Sequence, residues 1–429
     1  MIVVTSFSSQ KIADKPTLAV LSHVLPFPRH SGQEQRVYYT LRAARLRFRV
    51  VFITSVSSHD VSSVEERLSD HCDQCIVSAS PYSHSTWSRL RHSGMASLFS
   101  LRTGLKKSNY VIGKIDFHPG FVETILSKHT FDCVLYEYWH AADSTMIFRQ
   151  QGVPCVLDMH DILWNSYERL LAGYRWMPAS LKRFRIMQYQ AEEKAAWGKF
   201  DAIVAINRDE YETVAKYVPA TTRLFYAPMG SDVKGIWQYS RQSYSTPQFA
   251  FYGGLGSKVN QACASRCVNS IMPNIWKEYP QAEIWLVGSN PPESIRALGA
   301  DPRVKVTGYI DDVRSLLSTM VAVLCPWEGR YGFRSRLIEV MGLGVPVVAS
   351  PDAAAGMDLE PNQGILFGAT DQELGELAKQ LIADPAFAEQ ISFSAHRQVY
   401  HKFSIENTYG RWMEELAGWL TTRRGQQNS

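Results

Sequence analysis

The stretch GFRSRLIEVMGLGVPVVAS, running from Gly332 to Ser350, decides the fold. A glycine and two arginines lead into an apolar helical pattern that carries Glu339 and stops at Gly342 and Gly344. Pro346 then opens the short buried strand PVVAS. Loop, helix and strand in this order form the unit from which parallel α/β sheets are built. At such a helix entry, free backbone N–H groups and the helix dipole favour an anion. Arg334 and Arg336 add charged donors able to grip phosphate oxygens. Glu339, about one turn into the helix, can accept hydrogen bonds from sugar hydroxyls. Phosphate and ribose together read as a nucleotide site. A plain helix–strand unit with a solvated basic rim fits the same residues equally well.

Working outward, the same alternation recurs on both sides. After Gln248, strands read at FAFYGGL, AEIWLVG, VKVTGYI, MVAVLCPW, PVVAS and GILFG, with helical patterns between them. Thr370 and Glu373 form a capping-box signature for a helix that buries Leu374, Leu377 and Leu381. Before Ser231, strands read at TLAVLSHVLP, RVVFITSV, FDCVLYEYWH, PCVLDMHDI and FDAIVAIN, and TTRLFYAPMGSD closes that half. The polar, aperiodic stretch from Ser231 to Gln248 reads as a linker. The expected division is a tail at 1–16, a Rossmann-like domain at 17–235, a second at 236–403, and a helix and tail at 404–429. In the last segment Ile405, Tyr409, Trp412, Leu416 and Trp419 define one buried side, and TTRRGQQNS is expected to be disordered.

A chain of 429 residues with 45% hydrophobic and 20% charged content fits two or three globular domains. Its net charge of +4 is uneven: 28 Lys+Arg against 22 Asp+Glu through Ser240 give +6, and the remaining 17 against 19 give −2. A mildly basic first half suits anionic substrates or an anionic membrane face, and is too weak to argue for nucleic acid. MIVVTSFSSQKIADK has neither a basic n-region nor an apolar run adequate for a secretory signal, and no stretch approaches a spanning helix. With seven cysteines, an odd count, a reducing cytoplasm is expected. Cys72–Cys75 and Cys263–Cys267 have thiolate-pair spacings but lie about 190 residues apart, so no metal site is expected from them. From Ser85 to Lys107 the chain alternates basic and aromatic residues, including Trp87, Arg89, Arg91, Phe99 and Arg102. Peripheral contact with a membrane surface and a solvated helix pair are both readings of that segment.

The first half carries its own candidates. PFPRHSGQEQR is a Pro/Gly loop opening a helix, with Gly32 at the turn and Arg36 in the first turns. In parallel sheets ligands sit at the strand carboxyl ends, where this loop belongs. The strand PCVLD ends in Asp158, His160 and Asp161. If the strand continues, Asp158 and His160 share a side, where a carboxylate can orient an imidazole and favour its protonated form. A long helix between Trp176 and Trp197 carries Glu193.

Taken together, FYGGLGSKVN, YPQAEIWLVGSNP, VKVTGYIDDV and GFRSRLIEVMGLGVPVVAS, in that order, resemble the GT-B glycosyltransferases, specifically the family-4 group (glycosyl transferases group 1). PFPRHSGQEQR is similar to that family's acceptor-side glycine loop, and APMGSD to its PNGVD element, with Met229 in the Asn place. The resemblance covers most of the chain. It implies an α/β fold of two Rossmann-like domains facing a central cleft, with the C-terminal helix packing back. It also implies a retaining, metal-independent transfer from a nucleotide-sugar donor to a saccharide or lipid-linked acceptor, with no other cofactor. By resemblance Arg334 and Arg336 bind the donor diphosphate and Glu339 holds the ribose. Gly254, Lys258 and Asn260 belong to the donor side, with Lys258 one residue short of the family's lysine spacing. Gly32 backs the reacting centre, and His160, with Asp158 beside it, is a cleft-facing polar position. The family's first glutamate, eight residues before Glu339, is here Tyr331, and Glu328 is out of register by three.

That departure keeps two other classes open. One is a non-catalytic GT-B sugar- or nucleotide-binding partner subunit. The other is a sugar-nucleotide epimerase of the same fold, although no comparable acidic and His set surrounds the expected sugar site. A phosphorylase of this fold needs a pyridoxal lysine, for which the sequence has no motif.

Overall fold

The computed structural model describes residues 2–7, 15–83, 85–233, 246–330 and 332–427. The chain divides into two compact units, Met1–Ala227 with Tyr409–Ser429, and Pro228–Thr408.

The first unit is built on eight strands: β1 (Ile2–Ser6), β2 (Thr17–Leu21), β3 (Arg49–Val56), β4 (Gln74–Ala79), β5 (Cys133–Glu137), β6 (Cys155–Asp158), β7 (Ala202–Ala205) and β8 (Arg223–Tyr226). Their order is β1-β4-β3-β2-β5-β6-β7-β8. All pair in parallel except β1, which runs antiparallel to β4. Parallel strands covered on both faces read as continuous apolar runs, and TLAVL, VVFI, CVLYE and CVLD are buried almost end to end. The strand sequence reverses between β2 and β5, the crossover where doubly wound sheets place ligands.

The second unit repeats this plan with β9 (Gln248–Tyr252), β10 (Glu283–Val287), β11 (Val304–Gly308), β12 (Ala322–Cys325), β13 (Val347–Ala349) and β14 (Ile365–Phe367). The order is β11-β10-β9-β12-β13-β14, all parallel, with the crossover between β9 and β12. Phe249, Phe251, Leu286 and Leu324 pack on one side of this sheet with Ile271, Ile275, Leu374 and Leu381. Ala250, Val323 and Val347 pack on the other with Leu337, Val340 and Met341.

The helices that matter below are α1 (Gly32–Arg47), α2 (Thr86–Thr103), α3 (Leu163–Ala172), α4 (Ala179–Trp197), α5 (Lys258–Arg266), α6 (Ser335–Gly342) and α7 (Arg411–Gln427).

Four expectations change. Residues 1–16 are not simply a tail: Ile2–Ser6 adds an edge strand, registering Ile2 against Ser78 and Ser6 against Gln74. QCIVSA, not read as a strand from the sequence, is β4, buried between β1 and β3. The end of the chain is helical through Gln427 because α7 is tied down by its own cations: Arg423 bonds Asp201 at 3.0 Å, and Arg424 bonds Asp132. The division of the chain falls at 227/228, ahead of the expected 235/236. Ser231 N donates to Phe403 O at 2.7 Å and Gly230 abuts Ser404 and Thr408, which ties 228–233 to the second unit. Tyr409–Ser429 belongs with the first unit. Most of the expected linker, 234–245, lies outside the described residues.

Candidate functional site

In the second unit, the carboxyl end of β9 delivers Tyr252 into the turn Gly253–Gly254. That turn is knitted to the end of β10: Gly253 N donates to Val287 O and Leu255 N to Ser289 O, both at 2.9 Å. The approach is so close that a Cβ on Gly288 would lie 1.8 Å from Gly253 O, so only glycine fits there. Asn260, in the first turn of α5, donates from Nδ2 to Gly254 O at 2.9 Å and backs the turn from behind. Lys258 opens the same helix and is exposed.

Helix α6 brings two of its residues to this turn. A Cβ on Gly254 would lie 3.8 Å from Arg336 Nη2, and the Arg336 guanidinium stands 5.2 Å from the centre of the Tyr252 ring. The Tyr252 hydroxyl donates to Glu339 Oε2 at 3.3 Å. Burial raises the Glu339 carboxyl pKa, opposed by Arg336 and Arg314, and pushes the Tyr252 hydroxyl up to about 12. A half-buried cation, a carboxylate and a glycine turn therefore converge at the crossover of a parallel sheet. Such a constellation can hold phosphate oxygens on one side and hydroxyls on the other.

Arg334 behaves differently from its neighbour. Its Nη1 donates to Ala353 O and its Nη2 to Gly329 O, each at 3.0 Å, and the guanidinium stacks 4.2 Å from the Trp327 ring centre. It braces the loop ahead of α6. Tyr331, in the place of the family's first glutamate, lies outside the described residues. Glu328 pairs with Arg266 at 2.9 Å.

In the first unit, Ser31 and Glu34 cap α1 reciprocally, and Gly32 is its first residue. The left-handed position in that loop is Arg29, with φ of 74°, so Gly32 opens the helix and does not make the turn. From α1, Arg36 reaches Asp158 at the end of β6. The chain then leaves the strand, and His160 adopts φ of 57°. This breaks the alternation that would have set Asp158 beside the imidazole. His160 Nε2 instead meets the carboxylate of Glu137, and its ring stacks on Tyr138 with centroids 4.2 Å apart. Glu137 is directly opposite Asp158 in the β5–β6 register. Tyr138 OH donates to Gln33 Oε1 at 3.1 Å, and His23 and His140 stand 5.3 and 5.5 Å from the Tyr138 ring. Burial lowers the pKa of both of these histidines, His23 to about 4, so both are neutral near pH 7. Burial also raises the Glu137 carboxyl pKa, with His160 and Arg36 pulling the other way.

The acceptor atoms of Glu137, Asp158 and His160 lie within 4.8 Å of one another, the one grouping of potential metal ligands among the described residues. The bidentate contact of Arg36 already places a fixed cation against Asp158. The two cysteine pairs fall in different units, and burial pushes the thiols up, Cys75 to about 12 and Cys263 to about 11. Thiolates are the metal-binding form.

Glu137, Tyr138, His23, His140 and Tyr252 were not singled out in the sequence. Glu137 ends the strand CVLYE as Asp158 ends CVLD, so a carboxylate at a strand terminus was the available signal. Tyr252 directly precedes the glycine pair.

Two doubly wound parallel sheets, the first of 3-2-1-4-5-6-7 order with β1 added at its edge and the second of 3-2-1-4-5-6 order, give the chain the GT-B fold. Residues 246–384 match the family model described as glycosyl transferases group 1. The fold is that of a sucrose-phosphate synthase from Thermosynechococcus elongatus, with a TM-score of 0.65 at 16% identity over 95% of this chain and 100% of that one. It is also that of HepE from Anabaena in complex with UDP and glucose, with a TM-score of 0.61 at 15% identity over 94% and 99%. TarM has a TM-score of 0.63 at 9% identity over 93% and 98%.

Proposed function

We propose that the chain transfers a sugar from a nucleotide-sugar donor to a saccharide or lipid-linked acceptor, with retention at the anomeric carbon and without a metal ion or other cofactor. The observation that carries this reading is the convergence of Gly254, Arg336 and Glu339 at the β9–β12 crossover. In this reading the donor diphosphate lies on the Gly253–Gly254 turn and against Arg336, and Glu339 accepts the ribose hydroxyls. Tyr252 holds Glu339 in place. Asn260 supports the turn, Lys258 at the head of α5 is an outer donor-side cation, and Arg334 steadies the loop.

As the anomeric C–O bond to the diphosphate breaks, charge grows on the departing phosphate. In this reading Arg336 and the N-terminus of α6 stabilise it. The acceptor oxygen bonds to the same face of the sugar, and its proton passes to the departing phosphate. His160, oriented by Glu137, then serves to hydrogen-bond sugar or acceptor hydroxyls and need not act as a general base. HepE has been crystallised with UDP-glucose and TarM from S. aureus with UDP, which makes uridine nucleotides the first donors to try. The test is proton NMR of purified protein with UDP-sugars, with and without saccharide acceptors. Release of UDP with a retained anomer is expected. Inversion at the anomeric carbon, or no turnover of any nucleotide-sugar, contradicts the reading.

A further inference from the structure

An ordinary surface helix turns its apolar stripe inward and its charges outward. Helix α2 turns both outward, its apolar stripe and its arginines alike. Its one buried residue is Ala96. Trp87, Leu90, Leu98 and Leu101 are 82%, 64%, 68% and 70% exposed. With Gly94 they fall within an arc of about 80° at roughly 100° per residue, on the side opposite Ala96. The helix core is satisfied by Ala96 and Phe99 against Tyr110 and Ile115. Nothing among the described residues covers the outward stripe.

The stripe continues onto α4. Arg185 Nη1 donates to Ser100 O and Leu101 O at 2.7 and 3.0 Å, and Gln188 Nε2 to Arg102 O at 3.1 Å. These bonds seat the C-terminal turn of α2 beside α4, where Phe184 is 56% exposed, and Trp176 in the preceding loop is 77% exposed. Of the nineteen large apolar side chains exposed among the described residues, eleven lie within 87–101 and 170–187. The patch is thus concentrated, not scattered. Residues 85–107 and 174–187 together hold nine Lys and Arg and no Asp or Glu.

We propose that this α2–α4 face docks on the surface of an anionic lipid bilayer. Trp and Leu side chains would enter the headgroup region while the flanking arginines meet the lipid phosphates. Charge selects this occupant over a second copy of the chain, because an isologous contact would bring two sets of nine cations together. No described helix is long and apolar enough to cross a membrane, so the contact is one of lying on the surface. The inference deepens the proposed function, on which it rests for its purpose, since surface docking brings a lipid-linked acceptor within reach.

The test is co-sedimentation of the full chain with phosphatidylcholine vesicles and with vesicles in which a third of the lipid is phosphatidylglycerol. Binding to the anionic vesicles alone is expected, weakening as salt is raised. A Leu98→Glu/Leu101→Glu variant and an Arg91→Glu/Arg102→Glu variant should each bind at least tenfold more weakly, with unchanged circular dichroism and unchanged UDP affinity. Failure of wild type to bind anionic vesicles overturns the proposal, as does full binding by both variants. Concentration-dependent dimerisation that the leucine variant abolishes also overturns it, in favour of a protein interface. None of these readouts uses sugar transfer, so failure here is distinct from failure of the transferase reading.

Discussion

Arg36 grips Asp158 with both arms of its guanidinium, Nε to Oδ2 at 2.8 Å and Nη2 to Oδ1 at 3.2 Å, and both side chains are fully buried. The third arm, Nη1, donates to Ala227 O at 2.8 Å, and the group lies 5.0 and 5.3 Å from the Tyr409 and Trp412 rings. One side chain on α1 thereby ties together the end of β6, the segment after β8 and the start of α7. Removing one partner of a buried pair leaves the other charge uncompensated. Asp158→Ala should therefore destabilise the protein by about 3–5 kcal/mol. Urea denaturation checks this, and a loss below about 1 kcal/mol, typical of an exposed pair, would contradict it.

His160 takes its orientation from Glu137 and from stacking on Tyr138. Both Glu137→Gln and His160→Ala should lower turnover, His160→Ala by roughly the 10²–10⁴ of a positioned catalytic group. Nucleotide affinity should be unchanged in both, because the nucleotide is assigned to the other unit. Glu137→Gln keeps the shape of the side chain, so a near-normal melting temperature with reduced kcat is the signature of positioning. Near-normal turnover in His160→Ala would make that histidine structural.

Arg334 and Arg336 are two residues apart yet are expected to fail differently. Arg334 spends both Nη groups on the carbonyls of Gly329 and Ala353. Arg334→Ala should lower stability by about 1–3 kcal/mol through the carbonyls it abandons. Differential scanning calorimetry in the absence of ligand measures it. A wild-type melting temperature combined with lost nucleotide binding would return Arg334 to the phosphate site.

Glu193 on α4 accepts the N–H groups of Leu163 and Trp164 at 2.9 Å each and so caps α3 from a distance. Burial raises its pKa from an ordinary 4.5 to about 8. Because the folded value lies above the unfolded one, the stabilising contribution is complete below about pH 4.5 and is lost as pH rises toward 8. Each tenfold change in proton affinity between the folded and unfolded chain corresponds to roughly 1.4 kcal/mol. Stability should fall across that window, and Glu193→Gln, which cannot ionise, should flatten the fall. Parallel pH–stability curves for the two proteins would contradict the assignment.

The strands were legible because buried parallel strands are runs of Val, Ile, Leu and Phe bounded by Gly and Pro, and TLAVL, CVLYE and VVA show this directly. QCIVSA was obscured by the attention that a CxxC spacing draws to its cysteines, and IVVTS by its position at the chain start. In the second unit, the convergence of Gly254, Arg336 and Glu339 was legible because a glycine turn and a helix entry are local features. What the sequence concealed was pairing across long separations. Asp158 looked like the partner of His160 two residues on, yet the left-handed turn at His160 hands it to Glu137, and Asp158 goes to Arg36. Nor does spacing distinguish the arginine beside the glycine turn, Arg336, from the one bracing a loop, Arg334.

Isothermal titration of UDP and other nucleoside diphosphates into the wild-type protein and Arg336→Ala decides whether the Gly254 turn and Arg336 hold a diphosphate. A charge-assisted hydrogen bond contributes roughly 1.5–3 kcal/mol. One site per chain is expected, with affinity about ten- to a hundredfold weaker in the variant. Equal affinity in the two proteins, or no binding of any nucleoside diphosphate to the wild type, would contradict it.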